Sequence, residues 1–152
     1  MGRFLPALFF LLLGILIILQ LRNSPIQNTF AAPATHIVIS EIQIAGIASD
    51  NDFIELYNPT ALEINLEGLR LAKRTSGTTS ASIVAFASDE TIPAHGYYLW
   101  CNTSLNVSLT CDRNTSATVA NNNSVALLDG PLATGTVVDA VSFGSPGSPF
   151  GE

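Results

Sequence analysis

Short runs in which aliphatic or aromatic residues alternate with polar ones recur from residue 36 onward, separated by Gly, Pro, Asn and Asp. That two-residue period is the signature of strands with one buried face. His36 to Ile44 places Ile37, Ile39, Ile42 and Ile44 among polar neighbours, and the alternation slips near Ser40 and Glu41, where a bulge is expected. Asp52 to Tyr57 follows, closed by Asn58-Pro59-Thr60, a turn because the residue before proline avoids the helical region. Leu62, Ile64 and Leu66 alternate, Glu67-Gly68 turns, and Leu69 to Leu71 resumes. Ser82 to Phe86, Gly96 to Cys101, Ser124 to Leu128 and Val137 to Phe143 complete the set. About seven or eight short strands with no sustained helical period predict an all-β sandwich or barrel. Within it, Ile54 and Leu56 share one face of their strand, opposite Phe53, Glu55 and Tyr57. Tyr98 and Trp100 likewise share a face, opposite Tyr97 and Leu99, and such a pair is expected in the core more than on a sugar-stacking platform.

The N-terminus has a different pattern. Phe4 to Leu21 is apolar all round, interrupted by Pro6, Gly14 and Gln20, and predicts one hydrophobic helix. Eighteen residues would reach roughly 27 Å at about 1.5 Å each, close to the hydrocarbon thickness of a bilayer. Two readings stay open: an uncleaved membrane anchor, or a signal peptide cut near Ala32-Pro33-Ala34 or Thr29-Phe30-Ala31. Either makes the chain exported, held at the membrane or released outside the cell. The expected division is residues 1–22 as signal or anchor, 23–34 as a Pro-containing linker, 35–144 as the β domain, and 145–152 as the beginning of a Gly/Ser/Pro tail.

Charge narrows the partners. Charged residues make up 12% of the chain, and the part after Ala34 keeps four basic residues against all twelve acidic ones. An acidic field repels phosphate, so binding to intracellular nucleic acid is disfavoured. The one basic cluster, Arg70, Lys73 and Arg74, is read as a solvated strand end or loop. Thr75 to Ser80 and the longer Asn102 to Asn123 are rich in Ser, Thr and Asn, and the second is the place where a binding role is most inviting.

Cys101 and Cys111 are the only cysteines. In an oxidising compartment they can close a short loop as a disulfide; otherwise they are two reduced thiols held apart. With His36 and His95 they lack finger-like spacing for zinc. Asp50, Asp52 and Glu55 form the densest acidic group and are the candidates for a surface calcium site, but the alternating ligands of an EF-hand loop are absent, and no metal or other cofactor is expected. No G-x-S-x-G and no phosphate-cradling Gly loop occurs, and both histidines read as surface or turn residues, so no catalytic residue is assigned. Asn102, Asn106, Asn114 and Asn122 open N-x-S/T sequons, which matter only in a cell with glycosylation machinery.

Taken in order, Ile37–Ile44 (IVISEIQI), Asp52–Pro59 (DFIELYNP), Ile64–Leu71 (INLEGLRL), Ile92–Leu99 (IPAHGYYL), Ala126–Asp129 (ALLD) and Val137–Phe143 (VVDAVSF) resemble the lamin tail domain, over about residues 35 to 144. The resemblance implies an immunoglobulin-like β-sandwich of the bacterial exported or surface type. The chain departs from nuclear lamins in lacking heptads, a nuclear localisation run and a prenylation motif, and Leu69 stands where family members often carry an aromatic residue. The expected function is therefore a non-enzymatic secreted or cell-surface module that binds a protein or a cell-wall polymer, with the membrane as a further partner if the N-terminal segment is retained. The alternative is an accessory domain of a larger surface-associated hydrolase or nuclease.

Overall fold

The computed structural model describes residues 32–75, 77–105 and 109–151. The expected hydrophobic helix over Phe4 to Leu21 lies outside them. Among the described residues the chain forms ten strands: β1 (Val38–Gln43), β2 (Phe53–Tyr57), β3 (Ile64–Asn65), β4 (Leu69–Arg74), β5 (Ala81–Ala85), β6 (Thr91–Ile92), β7 (Tyr97–Asn102), β8 (Arg113–Thr115), β9 (Ser124–Asp129) and β10 (Thr136–Ser142). One four-stranded sheet has the order β1-β2-β7-β8 and a second the order β10-β9-β4-β5, while β3 and β6 pair as a small ribbon. Every pairing is antiparallel except that of β7 with β8.

The two larger sheets share one core, which makes the domain a sandwich. Ile54, Leu56, Tyr98 and Trp100 from the first sheet pack with Leu71, Ile83, Val84, Val125 and Leu127 from the second. The alternation read from β2 and β7 sorts these side chains as expected. Ile54, Leu56 and Trp100 are fully buried, whereas Tyr97 on the other face of β7 is 58% exposed. β9 departs from strict alternation, with Ser124 to Leu128 all buried. It lies between β4 and β10, and its outer face is covered in turn, by Phe150 packed on Ala72, Ala126 and Leu128. A strand covered on both faces needs no polar row. Phe150 is anchored there by its own N–H, which donates to Ser124 Oγ at 2.9 Å, and by the Arg74 guanidinium 4.0 Å above its ring. The stretch read from the sequence as the beginning of a tail is thus packed onto the domain as far as Phe150.

Two strands were invisible to periodicity. β6 spans two residues and β8 three, too short to show a period. The slip expected near Ser40 is present: the β1–β2 register shifts between Ile39 and Glu41. A similar shift falls between Val137 and Asp139 on β10. These irregularities face each other across one side of the sandwich, where the Ile39 N–H donates to Asp139 Oδ2 at 2.6 Å and ties the edge of one sheet to the edge of the other.

Candidate functional site

The opposite side of the sandwich is closed through Thr115. The Trp100 indole N–H donates to Thr115 Oγ1 at 3.0 Å, and that hydroxyl donates to the carbonyl of Ile83 on β5, also at 3.0 Å. Thr115 sits on β8, inside the polar stretch Asn102 to Asn123 that the sequence left open. Much of the stretch is built into the body. Asn102 Nδ2 donates to Ala117 O at 2.7 Å, Val119 is buried, and Asn123 Oδ1 accepts the Ala120 N–H while its Nδ2 donates to Arg74 O.

Parallel neighbours usually need a crossover of a dozen or more residues, yet β7 and β8 are joined directly by residues 103–112. Two devices hold this connection. Cys101 and Cys111 form a disulfide with their Cα atoms 5.9 Å apart, so of the two readings of the cysteines the bonded one is found. Asp112 then pairs with Leu99, donating its N–H to Leu99 O at 2.9 Å and accepting the Leu99 N–H on Oδ2 at 2.7 Å.

The acidic group does not come together. Asp52 is fully buried, with Oδ1 accepting the Ala45 N–H at 2.8 Å and Oδ2 the Val119 N–H at 2.7 Å. Turning it toward a cation would orphan both amides. Glu55 accepts the Ser40 hydroxyl at 2.7 Å, and Asp50 lies in the β1–β2 loop. Among the described residues no three His, Cys, Asp or Glu side chains gather as a metal-binding group. His36 is exposed ahead of β1, and exposed His95 sits in the turn before β7 with φ of 55°. The basic cluster is engaged locally: Arg70 donates to Ser82 Oγ, Lys73 to Thr118 O and Arg74 Nε to Ser80 Oγ. Burial lowers the pKa of the Lys73 ammonium, partly opposed by the Asp52 charge.

Of the aromatic residues, Tyr98 and Trp100 belong to the core, and Phe86 meets Tyr98 edge-on at 5.4 Å. Burial, reinforced by its hydrogen bond to Glu90, pushes the Tyr98 phenol above its ordinary pKa. A different pair faces outward, Tyr57 and Tyr97, with ring centroids 4.8 Å apart on the outer face of the first sheet.

One recess was not read from the sequence. It is a cleft of about 300 Å³ between the edges β1 and β10, lined by Ile39, Ser40, Glu41, Ile42, Ile44, Val141 and Phe143. Ile39, Ile42, Ile44 and Phe143 also pack against the core, so the cleft opens onto the seam between the sheets. The alternation of isoleucines along β1 was the only sequence signal, and it does not distinguish a buried face from a groove.

Asn58, by contrast, stands in the DFIELYNP segment and explains it. It is fully buried, its Nδ2 donates to the carbonyls of Leu62, Ile92 and Pro93, and its Oδ1 accepts the N–H and hydroxyl of Thr60. One amide thereby binds the end of β2 to the IPAHG turn that leads into β7. Residues 31–145 match the family model of the Lamin Tail Domain. The chain belongs to the lamin tail domain family. In this lamin tail domain the segments that carried the resemblance are β1, β2 with its Asn58 turn, the successive strands β3 and β4, the β6–β7 passage, β9 and β10. The family is one of immunoglobulin-like domains, which agrees with the sandwich found here. No individual curated protein matches the chain.

Proposed function

We propose that this lamin tail domain is an exported, non-enzymatic module of the bacterial surface type, secreted or held at the membrane, that works by binding a macromolecular partner. The observation that carries the reading is the Cys101–Cys111 disulfide, which clamps the β7–β8 connection and is of the kind that forms and persists in oxidising compartments. The apolar run Phe4 to Leu21 supports the same location from the sequence. The non-enzymatic reading is supported by how the buried polar side chains are spent. Asp52, Asn58, Asn102 and Asn123 each hold backbone groups of loops, which leaves none of them free to act on a substrate.

The test is intact mass with non-reducing peptide mapping on the full chain recovered from membrane and culture-supernatant fractions of a bacterial host. A product beginning near Thr35 in the supernatant, with Cys101 joined to Cys111, makes it a secreted module. Residues 1–152 intact in the membrane, with the same bridge, make it an anchored one. Reduced thiols in a cytoplasmic product overturn the reading.

A further inference from the structure

We infer that the cleft between β1 and β10 receives an extended segment of a partner protein, added alongside β1, with aliphatic side chains turned into the cleft and Lys or Arg flanking them. This deepens the binding role proposed above and rests on it.

The first support is the open strand edge. Among the described residues β1 ends its sheet and pairs on one side only, with β2. Its other edge is tied to β10 at Ile39 through Asp139, and the cleft lies along the residues that follow. An unpaired edge is a template for a further strand, and native proteins blunt it with lysine, proline, other charges or bulges. The β1 sequence VISEIQ carries no lysine or proline, and its bulge between Ile39 and Glu41 falls beside the tie to β10, which leaves Glu41 as the one charge of β1 along the cleft. The second support is the floor. Ile42 and Ile44 on one wall and Val141 and Phe143 on the other leave about 300 Å³ open to solvent, and Val141 is itself 36% exposed. In strand addition, main-chain bonds supply affinity while pockets for alternate side chains supply selectivity, and this cleft offers both beside each other.

Charge selects the occupant. β1, β2 and β10 contain no Lys or Arg, whereas Glu41 lines the cleft, Glu55 lies opposite Glu41 on β2, and Asp139 stands at the tied end. A basic segment is drawn to such an edge. A second copy of this chain is disfavoured, because pairing two β1 edges would bring Glu41 and Glu55 of one copy toward those of the other, and facing like charges destabilise a strand pair.

The probe is a short fluorescent peptide alternating lysine with valine, titrated into the full chain at about 0.15 M salt, where exposed charges further apart than about 8 Å are largely screened. A matched peptide carries N-methyl groups on alternate amides, so it keeps charge and side chains but cannot pair. We expect saturable binding of the first peptide, at least about tenfold weaker binding of the second, and amide shifts confined to β1 and β10. Val141→Lys, at an exposed position, should weaken binding about tenfold, and Glu41→Lys should weaken it further under low salt. Equal affinity for the two peptides, shifts centred elsewhere, no binding, or a self-associating chain that buries β1 would each overturn the inference. Failure here is separable from failure of the surface reading: an exported, disulfide-bonded chain that ignores the peptide sinks only the cleft, whereas peptide binding by a reduced cytoplasmic chain sinks only the location.

Discussion

Side-chain amides and one carboxylate hold the turns of this domain. Asn51, Asn58, Asn102 and Asn123 are all buried, and each bonds to backbone groups of its own or a neighbouring loop. An asparagine can donate and accept at once, so a single residue satisfies a carbonyl and an amide that would otherwise be buried unpaired. Asp52 does the same work with two acceptors facing two N–H donors, from Ala45 and Val119. Asp52→Asn keeps the shape but replaces one acceptor with a donor pointing at an N–H. It should cost about 3 kcal/mol of folding stability, since a hydrogen bond to a charged group contributes about 1.5–3 kcal/mol and the displaced amide stays buried. Urea unfolding of the variant checks this; an unchanged midpoint would mean that the two amides find other partners.

At the scale of elements, the short parallel strand β8 depends on its connection. It spans only Arg113–Thr115, and it is held by the disulfide, by Asp112 against Leu99, and by the Thr103 N–H donating to Thr115 O at 2.9 Å. Replacing both cysteines with alanine should cost about 2–5 kcal/mol, the usual range for a native bridge in a small secreted domain. Hydrogen exchange distinguishes where the loss falls. The Thr103 and Asp112 amides should lose protection first, while β9 and β10, which lie in the other sheet and share no residue with the loop, should keep theirs. Uniform loss would mean that the bridge stabilises the whole domain and not the connection. The opposite edge is different in kind: β1 and β10 are tied at one point, through Asp139, and the cleft beyond it is what a partner strand would fill.

For the molecule as a whole, the two lateral closures and the shared core make pH a global variable. Tyr98 is buried against Phe86 and bonded to Glu90, so the folded state favours its protonated phenol. Stability from that group is fully present below the ordinary tyrosine pKa of about 10 and falls as pH rises beyond it. Lys73 acts in the opposite sense. Burial disfavours its charged form, so its discharge at alkaline pH removes a penalty from the folded state. Tyr98→Phe deletes the first effect and keeps the second, and the variant should therefore lose less stability than the native chain between about pH 9 and pH 11, read by urea midpoints across that range. A steeper alkaline loss in the variant would contradict this assignment.

The sequence alone determined that the body of this protein is built of short strands. The two-residue alternation in β1, β2 and β7, the apolar runs of β4, β5, β9 and β10, and the slip at Ser40 were legible because strand patterning is local and each apolar face must find a core. The order of those segments was also enough to indicate the family. Tertiary structure decided what local pattern does not encode. It brought Cys101 to Cys111, set Asp52 under two amides instead of beside Asp50 and Glu55, and threaded the polar stretch after Asn102 back along the sheets. It also placed the isoleucines of β1 beside Val141 and Phe143 from the far end of the chain, forming a cleft where the alternation predicted only a buried face. The physical reason is range. Alternation depends on the nearest few residues, whereas a disulfide, a shared carboxylate and a groove between sheet edges depend on contacts that close only after both sheets have packed.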